Sequence, residues 1–128
     1  MISHLSFGVS DLARSQRFYD AALKALGMVR LWDSPTGIGY GPAGGSDRFA
    51  LFARPDDAVP PGPGFHLAFD APTRDAVAQF HAAALAEGGY DDGPPGLRPH
   101  YGPDYFAAFV IDPDGYKLEA VCQRIGEA

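Results

Sequence analysis

At 128 residues, with a net charge of −6, the chain has room for one ordinary domain and none for a separate regulatory module. Ten Lys and Arg against sixteen Asp and Glu oppose binding to nucleic-acid phosphates or anionic lipid, both of which reward concentrated positive charge. No apolar run is long enough to span a bilayer, the N-terminus does not read as a secretion signal, and the single cysteine, Cys122, excludes a disulfide framework and a multi-thiolate zinc site, so a cytoplasmic protein is expected.

From Ile2 to Val9, Leu5, Phe7 and Val9 alternate with His4, Ser6 and Gly8. That is the period of a strand with one bulky apolar face and one small polar face. Ser10 or Asp11 then caps a helix whose apolar stripe is Leu12, Tyr19, Ala22, Leu23 and Leu26, with Gly27 as its stop. Short strands are expected over Met28 to Trp32, Ile38 to Gly41 and Arg48 to Arg54. The proline-rich stretch 55–64 cannot form a helix or a central strand and reads as a linker.

Beyond the linker the pattern returns. Phe65-His66-Leu67-Ala68-Phe69 repeats Ser3-His4-Leu5-Ser6-Phe7 at a spacing of 62, and at the same spacing Phe18 falls on Phe80, Ala22 on Ala84, Leu23 on Leu85 and Gly27 on Gly89. The second helix opens at Pro72-Thr73, carries Ala76, Val77, Phe80 and Ala84, and ends at Gly88-Gly89. A weak strand near Tyr90 precedes a Pro/Gly-rich loop, 93–103, and strands over Tyr105 to Ile111 and Tyr116 to Gln123 form a hairpin around the turn Asp112-Pro113-Asp114-Gly115. The chain therefore divides into a module over 1–54, the linker over 55–64 and a second module over 65–124. Each half would be marginal alone, so the halves need each other or a second chain.

On the last strand Leu118, Ala120 and Cys122 share one face and Glu119 points the other way. His4, His66 and Glu119 then line the open face of a curved sheet, where small neighbours Ser6, Gly8 and Ala68 leave space for a ligand. Two imidazoles and a carboxylate are the donor set of open catalytic zinc and non-haem Fe(II) sites. A lone strand histidine is usually a hydrogen-bonded structural residue; two at equivalent repeat positions are harder to explain that way.

His4-Leu-x-Phe-x-Val-x-Asp11-Leu12 with Ser15 and Phe18-Tyr19, the second histidine strand, and Asp112-Pro113-Asp114-Gly115-Tyr116-Lys117-Leu118-Glu119 together resemble the glyoxalase/bleomycin-resistance/extradiol-dioxygenase superfamily, the vicinal oxygen chelate proteins. The resemblance covers nearly the whole chain. It implies an α+β fold of two βαβββ modules forming a cupped, barrel-like mixed sheet with helices on the outer face. It also implies a divalent metal (Fe, Mn, Zn or Ni) held by His4, His66 and Glu119. The fourth ligand of glyoxalase I-like members would stand at Ala50 or, with a slip of one, at Leu51; neither can bind a metal, so the three-ligand form is expected.

The activity so implied is a glyoxalase-like lyase or isomerase acting on a small substrate that chelates the metal through neighbouring oxygens. A ring-cleaving dioxygenase and a metal-free drug-binding protein are the alternatives. Scattered arginines argue against a glutathione site, and the short chain argues against the usual two-domain extradiol enzyme. His100, Tyr101 and Tyr105 are the candidates for proton handling, and Arg98, Trp32 and Tyr40 for substrate binding. The resemblance further implies a homodimer, in which the modules pair within one chain or across two.

Overall fold

The computed structural model describes residues 1–125. It is an α+β structure in the order β1 (Leu5–Val9), α1 (Leu12–Lys24), β2 (Met28–Ser34), β3 (Gly37–Pro42), β4 (Phe49–Ala53), β5 (Leu67–Asp70), α2 (Arg74–Ala86), β6 (Tyr90–Leu97), β7 (Phe106–Ile111) and β8 (Lys117–Cys122). The βαβββ unit occurs twice. Each unit makes its own four-stranded sheet, ordered β1-β4-β3-β2 and β5-β8-β7-β6. In both, the first and last strands pair in parallel and the rest antiparallel. The sheets do not close into a barrel.

Both helices begin where a short polar side chain satisfies a free N–H of the first turn. Asp11 accepts from the Arg14 N–H at 3.1 Å, and Thr73 accepts from the Ala76 N–H at 3.0 Å. Their apolar stripes, Phe18, Tyr19, Ala22 and Leu23 on α1 and Ala76, Val77, Phe80 and Ala84 on α2, are buried. The helices touch each other and join both sheets in one core. Aromatic contacts cross between the units: Phe7 stacks on Tyr116 with centroids 3.9 Å apart, and Phe49 meets Phe69 edge-on at 5.5 Å.

Polar bonds lock the same boundary. The Tyr19 hydroxyl, wholly buried, donates to Asp112 Oδ2 at 2.5 Å, while Asp112 Oδ1 accepts from the N–H groups of Asp114 and Tyr116. The Tyr116 hydroxyl donates to the Gly8 carbonyl at 2.7 Å, and Asp114 accepts from the Ser10 hydroxyl and Arg14. The turn between β7 and β8 thus ties the second unit to β1 and α1. Gly115, at φ +97°, occupies the left-handed position of that turn.

Some expected boundaries change: β1 begins at Leu5 rather than Ile2 and β7 at Phe106 rather than Tyr105, so His4 and Tyr105 precede their strands. The weak strand near Tyr90 is an eight-residue strand, β6, that takes in Gly93, Pro94, Pro95 and Gly96 from the expected loop. It is an edge strand with two register shifts against β7. Prolines are tolerated there because the outer edge needs no ladder N–H. The true loop lies between Leu97 and Phe106.

Candidate functional site

Each sheet turns one face to the core and leaves the other open, because strand side chains alternate. On β8, Leu118, Ala120 and Cys122 belong to the core. Glu119, between them, faces the open side and stands opposite Ala68 of β5 and Phe109 of β7. Its side chain is only 1% exposed. A carboxylate so removed from water must be bonded, and here both oxygens are. The His66 Nε2–H donates to Oε1 at 2.9 Å, and the Tyr105 hydroxyl donates to Oε2. Burial, then Glu119, push the Tyr105 hydroxyl up to about 12, so it remains a protonated donor at neutral pH.

These three side chains sit in the wall of a cavity of about 370 Å³, shared with Tyr101, Phe109, Phe65, Asp92 and Lys117. Tyr101 is exposed at its mouth, with its ring 5.2 Å from Tyr105 and 4.1 Å from His100. Arg98 lies behind Phe109: its guanidinium is 5.4 Å from that ring's centroid and donates to the Pro94 carbonyl at 2.7 Å.

The remaining candidates lie elsewhere. His4 immediately precedes β1 as His66 precedes β5, yet it is exposed, makes a 3.0 Å hydrogen bond with the Ser3 hydroxyl, and borders a separate cavity of about 240 Å³. Tyr40 is buried against α1 and donates to Asp20 at 2.8 Å. Trp32 covers Gly39 on the open face of the first sheet, so closely that a Cβ at that glycine would lie 2.0 Å from the indole nitrogen.

Strand pairing identifies the repeat equivalent of Glu119. Ser6 pairs with Ala50 as Ala68 pairs with Glu119, so Ala50 holds that place, while Leu51 is fully buried in the core. Within one chain, then, the second unit presents an imidazole and a carboxylate side by side, and the first presents His4 and a methyl group.

Imidazole nitrogen and carboxylate oxygen are donor types shared by Fe, Mn, Zn and Ni sites. His66 Nε2 and Glu119 Oε1 lie 2.9 Å apart in the cavity wall, a spacing that two neighbouring ligands of one divalent cation could keep once the imidazole gives up the proton it shares with the carboxylate. Among the described residues no three His, Cys, Asp or Glu side chains come together in this way.

The family model of the Glyoxalase/Bleomycin resistance protein/Dioxygenase superfamily matches residues 1–120. The chain belongs to this superfamily. A glyoxalase/bleomycin resistance protein from Albidiferax ferrireducens T118 is 32% identical, with a TM-score of 0.81 over 95% of this chain and 98% of that one. A glyoxalase-related enzyme from Fulvimarina pelagi is 24% identical, with a TM-score of 0.69 over 95% and 87% of the two chains. The fosfomycin resistance protein FosX from Listeria monocytogenes, 16% identical, shares the fold with a TM-score of 0.70 over 98% and 94%. No curated protein matches the chain.

Of the side chains singled out in the sequence, the fold brings Glu119, His66, Tyr101 and Tyr105 together around one cavity. Phe65, Phe109, Asp92 and Lys117 escaped the sequence reading of the site. Phe109 was within reach: the hairpin turn at 112–115 fixes the β7–β8 register and so sets Phe109 opposite Glu119. Asp92 was not, because the register shifts in β6 scramble its facing.

Proposed function

We propose that the chain is a divalent-metal-dependent enzyme of the glyoxalase type, a lyase or isomerase acting on a small substrate with neighbouring oxygens. The observation that carries this reading is the Glu119 carboxylate, 1% exposed, bonded to His66 at 2.9 Å and to Tyr105 beside an open cavity. A purely structural strand position has no need of such a group, since an apolar residue there would cost less desolvation.

In this reading His66 and Glu119 are two ligands and His4 of a second copy of the chain is the third, which makes the active form a homodimer. Ser6 and Ala68 are exposed, leaving the open faces of β1 and β5 free for a second copy to cover. When bound, the cation supplies positive charge against the substrate oxygens and lowers the cost of developing negative charge. Tyr101, in the cavity wall, and His100, packed against the Tyr101 ring at 4.1 Å, orient substrate and move protons. Lys117 offers a positive charge to an anionic group, and Arg98 steadies the Phe109 wall. Trp32, on the open face of the first unit, supplies apolar surface to the substrate, and Tyr40 supports that sheet from behind.

The rings of Tyr101, Tyr105 and Phe109 favour a second reading, in which the substrate is an aromatic diol and the reaction an oxygen-dependent ring cleavage. Anaerobic purification followed by elemental analysis tests what the readings share: about one metal per chain is expected in the wild type, with loss in His66→Ala and Glu119→Ala. Equal metal in all three proteins would refute the assignment. On the loaded enzyme, isomerisation of thiol–oxoaldehyde adducts set beside oxygen uptake with catechols then separates the two readings. Tight binding of an aromatic compound by a metal-free wild type would point instead to sequestration.

A further inference from the structure

A carboxylate has two oxygens, and a cation beside it engages one or both. Engaging both uses up coordination positions that substrate would otherwise occupy. Glu119 lies in the middle of β8, hydrogen-bonded between β5 and β7, and its side chain is almost fully enclosed, so the carboxylate cannot swing freely. Its two oxygens meet different partners: Oε1 faces His66 Nε2, and Oε2 accepts the Tyr105 hydroxyl.

Tyr105 is itself held from two sides. Its backbone closes the loop that follows β6, with the Arg98 N–H donating to the Tyr105 carbonyl at 2.7 Å and the Tyr105 N–H donating to the Gly102 carbonyl at 3.3 Å. The Tyr101 ring braces its own ring at 5.2 Å. The hydroxyl therefore arrives at Oε2 from a fixed direction.

From this geometry we infer that Tyr105 is a positioning residue: its hydroxyl occupies Glu119 Oε2 and keeps Glu119 a one-oxygen ligand through Oε1, beside His66. The inference rests on the reading of His66 and Glu119 as ligands and adds a role for the loop between Leu97 and Phe106. That loop shapes the cavity mouth through Tyr101 and sets the denticity of the buried ligand through Tyr105.

The test is Tyr105→Phe, which removes only the hydroxyl and retains the ring contact with Tyr101. Mn(II) affinity, measured by the paramagnetic resonance of the free ion, is expected to weaken roughly ten- to a hundredfold, as for other outer partners of metal ligands. The visible absorption of the Co(II)-loaded variant is expected to lose intensity relative to wild type as Glu119 engages through both oxygens. Wild-type affinity together with a wild-type Co(II) spectrum in the variant would overturn the positioning role and leave the metal assignment standing. A wild-type protein that binds neither ion would overturn both.

Discussion

Replacing Glu119 with Gln preserves the shape of the buried group and removes its charge. The amide oxygen can still accept from the Tyr105 hydroxyl, and the amide N–H can donate to His66 Nε2 in its other tautomer. Both hydrogen bonds persist without charge assistance, at a cost of roughly 1 kcal/mol each. The His66 share is smaller, because that side chain is 52% exposed and screened by water. Against this stands the release of a carboxylate that is 1% exposed, whose desolvation costs several kcal/mol. Glu119→Gln should therefore leave the metal-free protein unchanged or stabilise it by about 1–3 kcal/mol, while metal binding is lost. Urea unfolding in chelator, with the midpoint compared at equal slope, measures the first effect. Elemental analysis measures the second. A gain in stability with a loss of ligand binding marks a residue kept for function. Destabilisation by more than about 2 kcal/mol would show that Glu119 anchors a structural ion pair, and the argument from its burial would fail.

Three further outcomes are expected. Tyr19→Phe removes the buried bond to Asp112 and should cost about 2 kcal/mol, a typical value for a bond to a charged group; a loss below about 0.5 kcal/mol in urea melts would show that the α1–hairpin tie contributes little. Burial raises the Asp112 carboxyl above its ordinary value even though Tyr19 and two backbone N–H groups pull it down. The folded state therefore holds that proton more tightly than the unfolded chain, and stability is lost as pH rises from the ordinary carboxylate range through the raised value. In Asp112→Asn that decline should vanish, so the wild-type minus variant stability difference should fall with rising pH; a flat difference would contradict the assignment. Gly39→Ala should push the sole tryptophan, Trp32, off its glycine seat. Because the indole is 37% exposed and can move outward, the stability cost should stay near 1 kcal/mol while tryptophan emission shifts to the red; unchanged emission would refute the contact.

The fold was legible because its devices are local. The alternation through Leu5, Phe7 and Val9, the caps at Asp11 and Thr73, and the turn at Asp112–Gly115 each carry their own physical signature, and the spacing of 62 between the histidine strands announced two copies of one unit. Glu119 was legible as the odd residue among Leu118, Ala120 and Cys122. What the pattern left open was which groups meet through space. Asp112 reads as a turn residue, and nothing local says that its carboxylate meets the Tyr19 hydroxyl far away in sequence. Tyr105 begins a strand in sequence but precedes it in the fold, which frees its side chain to reach Glu119. Two prolines in β6 disguised an edge strand as a loop. His4 and His66 are equivalent by repeat but sit in different cavities of one chain, a separation that only the packing of the two units reveals.

The central claim is that His66 and Glu119 of one chain and His4 of another hold one metal, and mixing two defective variants tests it directly. His4→Ala and Glu119→Ala, each unfolded, combined, refolded and loaded, should bind no metal separately. Mixed dimers contain one intact site, so a random mixture of the two should recover about one metal per four chains. A mixture that stays empty, or either parent holding metal at the wild-type level, would contradict the account.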